Sequence, residues 1–258
     1  MNEPLILVSN DDGITSRGIR LLVEAMSEIG EVVVVAPDSP QSGMGHAITI
    51  GNTLRLDQND IFGSSISAFE CSGTPADCIK LAKHHVLKNR TPDIVVSGIN
   101  HGSNSSISVL YSGTMSAAIE AALEGLPAIG FSLCNHNPNA SIEHCKPIIK
   151  KIVEQVLKTK LPKGIALNVN IPPVSENPIK GIKICRQAIA RWEEKFEERF
   201  DPNGRRYFWM AGNFENSDKG LDTDESALAD NYVAVVPCTY DLTAHHTMAI
   251  LNEDWKII

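Results

Sequence analysis

The sequence predicts an α/β protein built on a doubly wound, mostly parallel sheet. Short β-branched runs alternate with amphipathic stretches through the first half of the chain. Runs such as residues 32–35 are apolar without interruption, as expected of strands buried on both faces. Polar clusters rich in Gly, Ser, Asn and Asp follow the predicted strands, at the sheet edge where open α/β folds bind ligands.

Residues 5–8 form the first predicted strand, which ends in Ser9-Asn10-Asp11-Asp12-Gly13. Ile19, Leu22, Val23, Met26 and Ile29 then recur at helical spacing, and Gly30 stops that helix. Residues 32–35 form the next strand, followed by a loop containing Ser42 and Gly43. Residues 47–50, 53–56 and 66–69 read as short strands separated by turns. Thr74 and Pro75 make a helix start, Thr as N-cap and Pro at the first helical position. Residues 94–97 are a buried strand, with Gly98-Ile99-Asn100 expected in the loop after it. A helix over 114–124, a strand over 128–131 and a helix over 142–157 complete the alternation.

The rhythm breaks after Ile171, at Pro172, Pro173 and Pro178. Residues 186–230 mix charge with aromatics: Trp192, Phe196, Phe200, Tyr207, Phe208 and Trp209. Two readings fit: an extension that packs as a long hairpin or on a partner subunit, or an irregular cap on its own domain. We expect one α/β domain over 1–258 with a C-terminal extension over about 172–258.

With 258 residues, 43% hydrophobic and 21% charged, the chain is ordinary for a soluble globular protein. The net charge of -8 and the lack of a Lys/Arg cluster argue against a nucleic-acid polymer or an anionic membrane as the main partner. Six scattered cysteines without a CxxC pair read as free thiols in a reducing compartment. The first residues lack the basic start of a signal peptide, so a cytoplasmic location is expected.

The chemistry concentrates in four clusters. They are Asn10 to Gly13, the 38–43 loop, Ser72-Gly73-Thr74-Pro75, and the stretch from Ser97-Gly98-Ile99-Asn100 through Asn104 to Ser112-Gly113-Thr114. In a parallel sheet the loops after the strands share one rim, so these clusters can meet. Each has an ordinary explanation: Asp caps helices, Ser42 and Asn100 suit turns, and Ser112 suits an N-cap. Capping needs one aspartate, however, and Asp11 beside Asp12 requires a cationic neighbour. Carboxylates, a hydroxyl and an amide oxygen are hard ligands suited to Mg²⁺, Mn²⁺ or Ca²⁺. Free N–H groups at the helix start after Ser112 suit a phosphate. The histidines lack HExxH spacing, and neither GxxxxGK[ST] nor a GxGxxG after the first strand occurs.

The stretches ILVSNDDGITSRGI, VVVAPDSPQSGMGHAITI, CSGTPADCIKLA and PDIVVSGINHGSNSSISVLYSGTMSAAIEAALEGLPAIGFS together resemble the SurE family of stationary-phase survival proteins. The second half is similar more loosely, chiefly in the closing CTYDLT. The resemblance implies a Rossmann-like core with a C-terminal extension exchanged between subunits, in homodimers or homotetramers. It implies a divalent-metal-dependent phosphatase of nucleoside 5′-monophosphates, in some members also of 3′-monophosphates or short polyphosphate. The implied metal ligands are Asp11, Asp12, Ser42 and Asn100, with Mg²⁺ or Mn²⁺ as the ion. Asp11 and Asp12 are the catalytic candidates, and Asn104, Ser112, Gly113 and Thr114 the phosphate-binding candidates. Where the family usually has a second glycine after the asparagine matched by Asn104, this chain has Ser106, which restricts the backbone. Two competing readings are a phosphoryl-accepting receiver domain and a nucleotide-binding protein without catalysis. The first needs an Asp after the third strand, and Asp57 and Asp60 lack that context.

Overall fold

The computed structural model describes residues 3–174 and 176–255. Strand β1 (Leu5–Ser9) sends Ile6 and Val8 into one hydrophobic core and Leu5 and Leu7 into another. This two-sided burial explains why its sequence shows no polar alternation. Helix α1 (Arg17–Ser27) starts at Ser16, whose side chain accepts the Ile19 N–H. Gly18 lets this helix approach the sheet, because a Cβ there would stand 2.0 Å from the Ile99 carbonyl oxygen. Strand β2 (Glu31–Pro37) pairs parallel with β1.

The next segment differs from expectation. Residues 47–50 form no strand. The Thr49 N–H and hydroxyl donate to the Asp77 carboxylate, and the Ala47 carbonyl accepts from the Thr74 hydroxyl. Polar groups that a ladder would use are spent on capping helix α2 (Pro75–Leu81). Of residues 53–56 only Leu56 is in a strand, β3 (Leu56–Gln58), antiparallel to β4 (Ser67–Cys71). Helix α2 carries a capping box between Thr74 and Asp77, with Pro75 at its start.

Strand β5 (Ile94–His101) runs beyond its predicted end, and its pairing with β6 (Ala128–Leu133) shifts register between Ser97 and Asn100. Helix α3 (Gly113–Leu123) links the two. Helix α4 (Cys145–Thr159) begins three residues later than expected. Pro147 lacks an N–H, so it is accommodated in a first turn and not in a helix interior. Strand β7 (Ile165–Ile171) follows, parallel to β6.

Beyond Ile171, β8 (Ile182–Ile184) and β11 (Val233–Thr239) extend the main sheet, while helix α5 (Asp224–Ala229) packs on β11. The nine-stranded order is β3-β4-β2-β1-β5-β6-β7-β11-β8, with β3 antiparallel to β4 and β11 antiparallel to β7. Helices α1 and α4 cover one face, α2 and α3 the other. The chain crosses from one side of β1 to the other between β2 and β5, which makes the crevice above β1 and β5 the topological switch point.

Strands β9 (Ala190–Phe200) and β10 (Arg206–Asn216) form a separate antiparallel ribbon. Apart from a few half-buried positions its residues are exposed, including Phe196, Phe200, Phe208, Trp209 and Met210. Helix α6 (His245–Asp254) buries no residue. The six cysteines are free thiols. Among the described residues no helix is long and apolar enough to cross a membrane.

Candidate active site

Asp11 and Asp12 stand just beyond β1, at the switch point. Gly13 takes φ +88°, a left-handed turn open to glycine. Its carbonyl accepts from the Asn10 side chain at 2.9 Å and from the Ser16 N–H at 3.1 Å, which fixes the turn into α1. Asp11 is only 4% exposed. Its Oδ1 accepts from the Thr114 hydroxyl, and its carbonyl accepts from the Gln41 N–H at 2.7 Å. Gly113 lies against the same side chain: a Cβ there would be 2.6 Å from Asp11 Cβ and 2.9 Å from Oδ2. Glycine is therefore required by close approach, not by backbone conformation.

Burial pushes the Asp11 carboxyl up to about 6, and the nearby Asp12 charge adds to this, while the Thr114 hydroxyl opposes it. Asp12 is half-buried and its carboxyl is also raised by burial, partly offset by a hydrogen bond from the His101 backbone. A divalent cation bound here would oppose both shifts by stabilising the charged carboxylates.

The other candidates converge on this rim. Ser42 is exposed and follows Gln41, the residue tied to Asp11. Its loop docks through the Gly45 N–H, which donates to the Tyr111 carbonyl at 3.2 Å. Asn100 lies inside the irregular end of β5 and not in a loop. Its Nδ2 donates to the Gly102 carbonyl at 2.8 Å, which leaves Oδ1 as the side-chain atom suited to a cation. Ser112 is the N-cap of α3 and accepts from the Met115 N–H at 3.0 Å. The Gly113 N–H precedes the first intrahelical bond and suits an anion, whereas the Thr114 backbone N–H faces the Asp11 carboxyl. The Thr114 hydroxyl and backbone N–H are both directed at the Asp11 carboxyl, so this structure places Thr114 as a support of Asp11 and not as a free phosphate donor.

Asn104 is buried more deeply than a solvent-facing ligand would be, at 7% exposure. Its Nδ2 donates to Ser132 at 2.8 Å, its N–H to Asn170 Oδ1 at 2.8 Å, and its carbonyl accepts from Asn168 Nδ2 at 2.8 Å. Sequence reasoning missed these three supports. The available signal was the pair of asparagines two apart in Leu167-Asn168-Val169-Asn170-Ile171, polar on one face of an apolar strand. It also missed the tie to α5. Ser105 donates to Glu225, whose carboxyl is raised by burial, and the Ser106 N–H donates to Asp224 at 2.7 Å. Ser106 takes the left-handed φ of +49° that suits glycine, and its hydroxyl donates to the Ala188 carbonyl at 2.8 Å.

The donor set fits a hard divalent ion. Among the described residues no group of three or more His, Cys, Asp or Glu side chains is placed to hold a metal. A cation here would rest on two carboxylates plus neutral oxygens, a hard donor set.

The family described as "Survival protein SurE" matches residues 6–194. The 5′-nucleotidase SurE of Cytophaga hutchinsonii is 74% identical over 258 residues, covering 100% of this chain and 99% of the relative. That of Christiangramia forsetii is 59% identical over 99% of this chain and 98% of its own. The crystal structure of the SurE protein from Aquifex aeolicus superposes with a TM-score of 0.83 at 37% identity, covering 97% of this chain and 99% of that one.

Proposed function

The chain belongs to the SurE family, and from that premise we propose that it hydrolyses nucleoside 5′-monophosphates to nucleoside and phosphate at the β1–β5 rim. It is a 5′-nucleotidase. The observation that carries the assignment of the site is the buried Asp11 carboxyl, beside Asp12, against the N-terminus of α3.

Asp11, Asp12, Ser42 and Asn100 would hold a divalent cation, Mg²⁺ or Mn²⁺. When bound, it supplies charge stabilisation to the phosphoryl oxygens in the transition state. The Gly113 N–H receives a remaining anionic oxygen at the positive end of α3, while Thr114 holds Asp11 beside it. Ser112 fixes that helix start, and the second Nδ2 hydrogen of Asn104 points the loop's contribution at the phosphate. Two routes are open to the aspartates: one accepts a proton from attacking water, or one attacks phosphorus itself. Acid-quench trapping of a phosphoenzyme separates them. Hydrolysis of 3′-monophosphates and short polyphosphate belongs to the same proposal, since the contacts invoked recognise phosphate and not the nucleoside.

The protruding β9–β10 ribbon and the uncovered α6 support a homodimer or homotetramer in which the extension packs on a second copy. Phosphate release from AMP with Mn²⁺, against a chelator control, tests the proposal. Release that depends on Mn²⁺ supports it. AMP binding without release makes the protein a nucleotide-binding module instead.

A further inference from the structure

Asn168 and Asn170 lie two apart on β7, so their side chains share one face of the sheet. They are 2% and 0% exposed. With Asn104 they close a ring of hydrogen bonds. The Asn104 N–H donates to Asn170 Oδ1 at 2.8 Å, Asn170 Nδ2 donates to Asn168 Oδ1 at 3.0 Å, and Asn168 Nδ2 donates to the Asn104 carbonyl at 2.8 Å. Ser132, the register partner of Asn170 on β6, accepts from Asn104 Nδ2 at 2.8 Å. Asn170 Oδ1 also accepts from the Ser103 hydroxyl at 3.3 Å. Both main-chain polar groups of Asn104 and one side-chain hydrogen are thus held by a single sheet face.

The rest of the loop is spent in the same way. The Ser105 N–H donates to the Ser103 hydroxyl at 3.2 Å and the Ser106 N–H to Asp224. Residues 104–106 therefore offer no free N–H cradle to an anion, and the second Nδ2 hydrogen of Asn104 is the donor left to them. Its direction depends on how the Asn104 backbone is clamped. Hydrophobic packing alone would not need two buried amides on this face, since alanine already occupies it at Ala166. Burying two amides is tolerable only because each is hydrogen-bonded.

We propose that Asn168 and Asn170 are positioning residues that aim the Asn104 amide at the substrate phosphate. The inference rests on the reading of Asn104 as a phosphate-binding residue. It is tested with the full-length enzyme in a cycle of N104A, N170A and the double variant. The readouts are the inhibition constant of inorganic phosphate and the split between KM and kcat for AMP, with Mn²⁺ present. N104A and N170A should each weaken phosphate inhibition about tenfold, and the double variant no further than N104A alone. N168A repeats the test if N170A does not fold, and thermal unfolding checks each variant. Equal losses from N170A in both backgrounds would mean a general structural role and overturn the proposal. An unchanged inhibition constant in N104A would remove Asn104 from the phosphate site, and the proposal with it.

Discussion

Replacing Asp11 by Asn should stabilise the metal-free protein while abolishing its activity. The Asp11 carboxyl is raised from 3.8 to about 6, chiefly by burial. At about 1.4 kcal/mol per tenfold in proton affinity, this corresponds to about 3 kcal/mol. The native state binds the proton more tightly than the unfolded chain. The stability this contributes is therefore present below pH 3.8, is lost as pH rises to about 6, and stays lost above it. Asn is isosteric, keeps an oxygen to accept from Thr114, and carries no charge. Urea denaturation of both proteins in chelator, at pH 4.5, 6 and 7.5, measures the difference. D11N should gain about 1 kcal/mol at pH 4.5 and about 3 kcal/mol at pH 7.5. Mn²⁺ at a hundred times its dissociation constant should restore about 2.7 kcal/mol to the parent, and far less to D11N. A D11N protein no more stable than the parent at pH 7.5 in chelator would refute the burial argument.

Gly113→Ala forces a Cβ onto Asp11, so kcat should fall at least 100-fold, with about 1–3 kcal/mol of stability lost to overpacking; a steady-state assay with matched denaturation curves checks both. Buried Glu120 is held by Lys80 at 2.5 Å and His46 at 2.9 Å, and despite burial these partners keep its carboxyl below the ordinary 4.5. The stability it contributes is present above pH 4.5 and disappears on acidification through its lowered value, so Lys80→Met should cost about 1–3 kcal/mol at pH 7 and flatten the acid limb of a pH–stability curve. Replacing residues 191–215 with a short turn should leave the main-sheet fold intact by circular dichroism and lower the oligomeric state seen by light scattering.

The central strands were legible because burial on both faces writes a continuous apolar run, as at Val32 to Val35. Asp11 and Asp12 stand out in the sequence because capping a helix needs only one aspartate. In the sequence Asn100 reads as a loop residue because Gly98 and a polar asparagine look like a strand terminus, whereas β5 continues through a register shift. Residues 47–50 read as a strand because nothing local reveals that Thr49 and Ala47 cap a helix far along the chain. The support of Asn104 by Asn168 and Asn170 needs the β6–β7 pairing to become visible. The ribbon was recognisable from its charge and aromatics, but its exposed residues carry no burial pattern to set register or partner.

The central claim is that the β1–β5 rim holds a divalent cation through Asp11, Asp12, Ser42 and Asn100. A crystal soaked in Mn²⁺ and measured at the manganese absorption edge tests it directly. The account predicts an anomalous peak bound by oxygens of those four residues, absent in D12N. A peak elsewhere on the chain, or one that persists unchanged in D12N, would contradict it.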